Sequence, residues 1–195
     1  MPLLGTAFYV NKNIVNNVTD FTSKSERLSL LTFKCKIKKY SLNNYHEDIN
    51  EDNKKNPQKV DDFWDLLEAE ILRIPEKNVK ILLGDFNTQI GKKGKYRDIV
   101  REYLADKRTN RNGERLITLC RSFQLKLMST HFRKLPRKAK TWVSPNPNLG
   151  EFQLDHVAIS RKNTKEIMNV KVIRNGEFDS DHYLSRVKIR FLPLN

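Results

Sequence analysis

The sequence predicts an α/β fold, a two-sheet β-sandwich flanked by helices. Three observations predict it. Many short segments carry strand patterns, some alternating and some continuously apolar. Only two segments carry the three- and four-residue apolar spacing of an amphipathic helix. Mixed one-sided and two-sided strand burial suits stacked sheets covered by helices. The length of 195 residues with 38% hydrophobic content is enough for one domain with a real core, spanning residues 1–195. No internal repeat or long linker divides the chain.

The elements follow in order. Residues 6–10 (TAFYV) form a short apolar run after Gly5 and read as a strand. Phe33, Cys35 and Ile37 alternate with Lys34, Lys36 and Lys38, the period-two pattern of a half-buried strand. Residues 40–46 read as the next strand and 46–57 as a polar loop. Val60, Phe63, Trp64, Leu67, Ile71 and Leu72 then form a helical stripe, with Asp61, Asp62, Glu68 and Glu70 off it. Asn56-Pro57 starts that helix and Pro75 ends it. Residues 79–83 are continuously apolar, as in a strand buried on both faces. A glycine- and cation-rich loop, 91–109, leads to a second helix from Asn112 through Leu116, Leu119, Cys120 and Phe123. Residues 125–128, 140–143, 153–159, 167–172 and 184–191 read as strands.

Lysine plus arginine number 37 against 23 acids, a formal net charge of +14. Such a balance suits a polyanionic partner, usually nucleic acid, although a solvated lysine-rich surface has the same composition. Two cysteines, Cys35 and Cys120, are too few for a disulfide framework or a zinc site. Both lie in apolar patterns and read as buried free thiols of a reducing, intracellular compartment. No leader opens the chain, and no apolar run is long enough to cross a bilayer. Asn17-Val-Thr19 matches a glycosylation sequon, which has no consequence without secretion.

Three segments place acids and amides where apolar strands end: Gly84-Asp85-Phe86-Asn87, Gln153-Leu154-Asp155-His156 and Ser180-Asp181-His182. Each alone reads more readily as a turn, because Asp, Asn, Ser and Gly are ordinary strand terminators. Together, and in this order with Lys140-Thr-Trp142 between the first two, they are far more specific.

This set (GDFN, TW, LDHV, SDH) resembles the endonuclease/exonuclease/phosphatase superfamily. The flanks GTAFYVNKN (5–13), FTSKSERL (21–28), NGERL (112–116) and KTWVSPNPN (140–148) resemble the endonuclease domain of RTE-type retrotransposons. That domain also occurs in craniofacial development protein 2-like proteins. The resemblance covers nearly the whole chain. It implies a deoxyribonuclease I-like sandwich with its site at one end, hydrolysis of DNA phosphodiesters, and Mg²⁺ as cofactor. Asp85 matches the acid that positions and deprotonates water, and Asn87 the amide that steadies nucleophile and phosphate. His182 matches the imidazole on the scissile phosphate, and Asp155 the carboxylate that holds it. Asp181 matches an acid near the metal, and His46 falls where relatives carry tyrosine or histidine beside the phosphate. These roles agree with elementary chemistry: water needs a base, and charge growing on phosphate oxygens needs a cation or strong donors. Trp142 reads as a packing residue behind the site, and His131 and His156 as structural histidines.

Two parts of the family pattern, a first-strand asparagine and the principal metal-binding glutamate, lie upstream of the segment matched by Gly5-Thr-Ala-Phe8. Only Met1-Pro-Leu-Leu4 precedes that segment here. The expectation is therefore a domain missing its first strands, with weak or absent catalysis. A non-catalytic nucleic-acid-binding or interaction module is the alternative. Where relatives read Ala-Pro-Thr, this chain has Glu47-Asp48-Ile49. Glu47, Asp48 and Glu26 are candidate substitutes for the glutamate. Candidate phosphate contacts are Lys92, Lys93, Lys95 and Arg97 after GDFN, and Arg133 and Lys134 in the run RKLPRKAK (133–140). That run also reads as a nuclear-import patch or a solvated loop.

Overall fold

The computed structural model describes residues 5–46, 57–91, 96–175 and 180–191. Strands β1 (Val18–Ser25), β2 (Leu28–Lys34) and β3 (Lys39–His46) form an antiparallel meander. Helix α1 (Pro57–Arg73) crosses over to β4 (Val79–Asp85), which pairs parallel to β3. Helix α2 (Arg111–Ser122) leads to β5 (Leu125–Leu127). Two short strands follow, β6 (Trp142–Val143) and β7 (Glu151–Phe152), and pair with each other. Strands β8 (Asp155–Ser160), β9 (Ile167–Ile173) and β10 (Leu184–Ile189) complete the set. The central sheet has six strands in the order β1-β2-β3-β4-β8-β5, while β9 and β10 form a separate antiparallel ribbon.

The central sheet is covered on both faces. Strand side chains alternate, so Leu82 and Ile81 point opposite ways. Leu28, Tyr45, Leu82 and Ala158 pack with Phe63, Leu67, Ile71, Leu116 and Cys120 on the helix side. Tyr40, Val79, Ile81, Val157 and Ile159 pack with Ile167 and Val170 of the ribbon on the other side. Leu67 and Ile71 are fully buried, each worth roughly 1.5–3 kcal/mol relative to exposure. Both cysteines are free and buried, as their apolar settings predicted.

Several local expectations need correction. Residues 6–10 are not a strand: they run irregularly across the sheet, where Thr6 Oγ1 donates to Ser29 Oγ (2.8 Å) and Asn44 Nδ2 donates to Ala7 O (3.3 Å). The period-two lysine comb does not continue through residue 37, because β2 stops at Lys34 and Ile37 sits in the turn, 78% exposed. Cys35 N instead donates to Lys38 O, closing that turn. On α1, Leu72 leaves the apolar stripe for solvent, and Glu70 is buried with Lys24 and Arg73 as ion-pair partners. Strands β1 and β7 carry no strong apolar period and were not predicted.

Candidate active site

The parallel β3–β4 pair brings two strand ends to one edge of the sheet, and antiparallel β8 begins at that same edge. In register, His46 lies beside Asp85, and Asp85 lies beside Asp155. All three therefore share one face, the face under the β9–β10 ribbon. His182, just ahead of β10, reaches both acids: its Nδ1 stands 3.0 Å from Asp155 Oδ2 and its Nε2 stands 3.6 Å from Asp85 Oδ2. Gly5, Thr6 and Ala7 line the same cleft with Ser180 and His182.

The backbone around these groups is specialised. Gly84 has φ +134°, and a Cβ there would sit 2.2 Å from Tyr45 O, so only glycine lets β4 pass β3 closely before Asp85. Asn87 turns the chain at φ 47°, and its N–H donates to Asp85 Oδ1 at 2.8 Å. Thr141 is buried, and its Oγ1 accepts from the N–H of both Leu154 and Asp155, each at 3.0 Å. Tyr183 N–H donates to Thr141 O at 2.7 Å and Val143 N–H donates to Asp181 O at 3.0 Å. One residue pair thus ties the LDHV and SDH segments to the TW segment.

No family model and no curated protein matches the chain significantly. Solved structures do. The endonuclease domain of TRAS1, a telomere-specific non-LTR retrotransposon, aligns with a TM-score of 0.62 at 12% identity, covering 91% of this chain and 69% of that one. The 3'-5' exonuclease NExo from Neisseria meningitidis aligns with a TM-score of 0.60 at 15% identity, covering 89% of this chain and 72% of that one. The AP endonuclease LMAP from Leishmania major gives 0.60 at 13% identity, covering 86% of this chain and 56% of that one.

This chain has the endonuclease/exonuclease/phosphatase fold. Within this DNase I-like sandwich, the electrostatics of the cleft are distinctive. Burial and the neighbouring Asp155 charge push the Asp85 carboxyl up to about 6, against the opposing pull of the Asn87 N–H, His182 and His46. Burial disfavours a charged His182, yet its hydrogen bond to Asp155 and the charges of Asp155, Asp85 and Asp181 hold it above the ordinary imidazole value. His156 is different: buried between Ser129 Oγ (2.9 Å) and Thr88 O (3.3 Å), it is pushed down to about 4 by burial and stays neutral. His131 is bound to Leu127 O at 2.9 Å. Both occupy structural positions.

The remaining predicted residues separate. Asp181 is exposed and accepts from Trp142 Nε1 at 2.7 Å, so Trp142 packs beside the site and also holds an acid there. Arg97 and Arg133 are exposed. Lys134 needs correction: its ammonium turns inward and donates to Ser129 O (3.0 Å) and Val170 O (3.1 Å), with burial pushing it down to about 8. It pins a loop to β9 and is not a free phosphate contact. Glu26 is exposed beside Arg27, and Lys92, Lys93, Lys95, Glu47 and Asp48 lie outside the described residues.

Two further residues position the site through hydrogen bonds to its backbone. Thr141 stands out in the sequence only as part of the Lys140-Thr-Trp142 motif. Asn110 caps α2 by accepting from Gly113 N–H (2.8 Å), accepts from Gln89 N–H (2.9 Å) and donates to Asn87 O (2.9 Å). It locks the GDFN turn onto a helix start. An asparagine just before a helical pattern is the N-cap signal that marks it.

Proposed function

We propose that this chain is a DNA phosphodiester hydrolase domain, an endonuclease of retrotransposon origin that works with magnesium. The observation that carries this reading is His182 bridging Asp155 and Asp85 at the cleft end of the sandwich. Asp155 fixes the imidazole with its proton on Nδ1 and favours the cationic form. Nε2 then faces the cleft as a donor for a phosphate oxygen, where charge builds during attack. Asp85, raised towards neutrality, is a stronger base for water than an ordinary aspartate. Asn87 and His46 flank that position.

Among the described residues, no group of three or more His, Cys, Asp or Glu forms a metal cage. Magnesium commonly takes only one or two carboxylates plus waters and substrate phosphate. Asp181, exposed and with one oxygen held by Trp142, fits such a water-rich site. The ion, when bound, offsets negative charge on the phosphate.

A plasmid-nicking assay tests the reading. Wild type should nick with magnesium and not with chelator, and Asp85→Ala or His182→Ala should lose at least about 10²-fold. Equal background nicking by all of them refutes it. The net charge of +14 favours one second reading, a non-catalytic nucleic-acid-binding module, which predicts salt-dependent DNA retention with no magnesium-dependent nicking.

A further inference from the structure

Outside the cleft, the β9–β10 ribbon carries an unusual charge arrangement. Lys171 and Arg186 are directly opposed in register and both are exposed, so two cations share one face. Lys188 follows on the same strand, also exposed. Like charges directly opposite each other destabilise a ribbon, and no acidic side chain among the described residues pairs with these three. An anion from outside would relieve this repulsion.

The same ribbon borders a groove. The far edge of β9 is met by no strand among the described residues; the 128–138 segment lies there, pinned by Lys134 to Val170 O and by Arg174 Nη1 to Arg137 O (2.9 Å). The groove between them is lined by Tyr103, Phe132, Arg133, Lys138 and Lys171. Arg133, Lys138 and Lys171 are exposed, and the two aromatic side chains are half-buried. The ribbon runs from this groove towards His182, because its Ile173–Leu184 end adjoins the cleft.

We propose that this groove and the adjoining cationic ribbon face bind a single-stranded nucleic-acid segment that flanks the cleaved position. The proposal deepens the DNA-hydrolase reading and rests on it for substrate class. Cations alone would serve a duplex equally well. Aromatic side chains in a cation-lined groove add what only unpaired bases can use, since a stacked duplex hides its base faces. Phosphates would follow Arg133, Lys138, Lys171 and Arg186, and bases would stack on Tyr103, since Phe132 packs against the core behind β9. An acidic peptide would meet the same charges but gain nothing from base-type stacking.

Fluorescence anisotropy on the full chain tests this with three labelled probes: a short single strand, a blunt duplex, and that duplex with a single-stranded overhang. The overhang duplex should bind more tightly than the blunt one. Tyr103→Leu should weaken single-strand binding by about 5- to 150-fold, the range of one lost stacking contact, and leave the blunt duplex unchanged. Lys171→Glu with Arg186→Glu should lower the salt slope for the overhang probe by about 1.4, the loss of two single-strand phosphate contacts. Lys59→Glu with Lys77→Glu, two exposed charge reversals outside the groove and ribbon, matches that change in net charge and should leave both preferences intact. Equal affinity for blunt and overhang probes, an equal loss in the Lys59→Glu/Lys77→Glu control, or displacement by a polyglutamate peptide as effective as the oligonucleotide would each overturn the proposal. Binding and nicking are read separately. Overhang preference without any nicking refutes the hydrolase reading alone, and nicking without overhang preference refutes only the groove.

Discussion

Thr141→Val should destabilise the protein by about 2–4 kcal/mol. The substitution keeps the shape of the side chain and removes one oxygen. That oxygen accepts from two backbone N–H groups, Leu154 and Asp155, each at 3.0 Å, and Thr141 is only 1% exposed. A buried donor left without a partner costs about 1–3 kcal/mol. Leu154 is buried and should pay most of that range, while Asp155 is partly solvated and should pay the lower end. Equilibrium denaturation reads the loss as a lower midpoint at unchanged slope. Thr141→Ser retains the oxygen and should fall within about 1 kcal/mol of wild type, since it removes a single buried methyl. Nicking should fall in Thr141→Val, because the start of β8 carries Asp155 and Asp155 orients His182. Equal midpoints for the valine and serine variants would refute the claim that these hydrogen bonds hold the LDHV segment.

Three further predictions follow from the same geometry. Asn110→Ala should cost about 1 kcal/mol or more, the usual loss of a helix cap, and should speed amide exchange at Gln89 and Gly113, which it accepts from; unchanged exchange there would refute its role in ordering the GDFN turn. Gly84→Ala should unfold or severely destabilise the protein, because the new Cβ would meet Tyr45 O at 2.2 Å with φ at +134°; a thermal midpoint equal to wild type would show that β3 and β4 do not approach this closely. His156, with its folded value near 4 and an unfolded value near 6.5, contributes stability that is complete above 6.5 and is lost as pH falls towards 4, by about 3 kcal/mol. Asp106, pushed up to about 7 by burial, works in the opposite sense, losing stability as pH rises through the range from 3.8 to 7. The test is therefore the difference in pH dependence between wild type and His156→Gln, and parallel curves would show that His156 is not held neutral.

Much of the fold was legible because the signals were local. The continuous apolar run of β4 and the stripes of α1 and α2 state their own burial, and Ile81 and Leu82 lie in cores on opposite faces. Strand β1 was not legible: as an edge strand it buries little and its pattern is mostly polar. The end of β2 was misjudged because Ile37 keeps the apolar alternation while sitting in a turn. Lys134 looked like its basic neighbours, and nothing local distinguishes an ammonium that finds two carbonyl oxygens from one left in water.

The residue types at strand ends were enough to name the carboxylates, the amide and the imidazole, because GDFN, LDHV and SDH each place polar side chains where an apolar run stops. Their relative positions depended on register. His46, Asp85 and Asp155 share a face only because β3, β4 and β8 align in one register, and a one-residue slip would turn any of them towards the helices. The reach of His182 to both acids, the tie through Thr141 and the charge-on-charge ribbon face all join segments far apart in the chain. Local sequence specifies which groups stand at each strand end; long-range pairing, whose partners no single segment encodes, decides which of them meet.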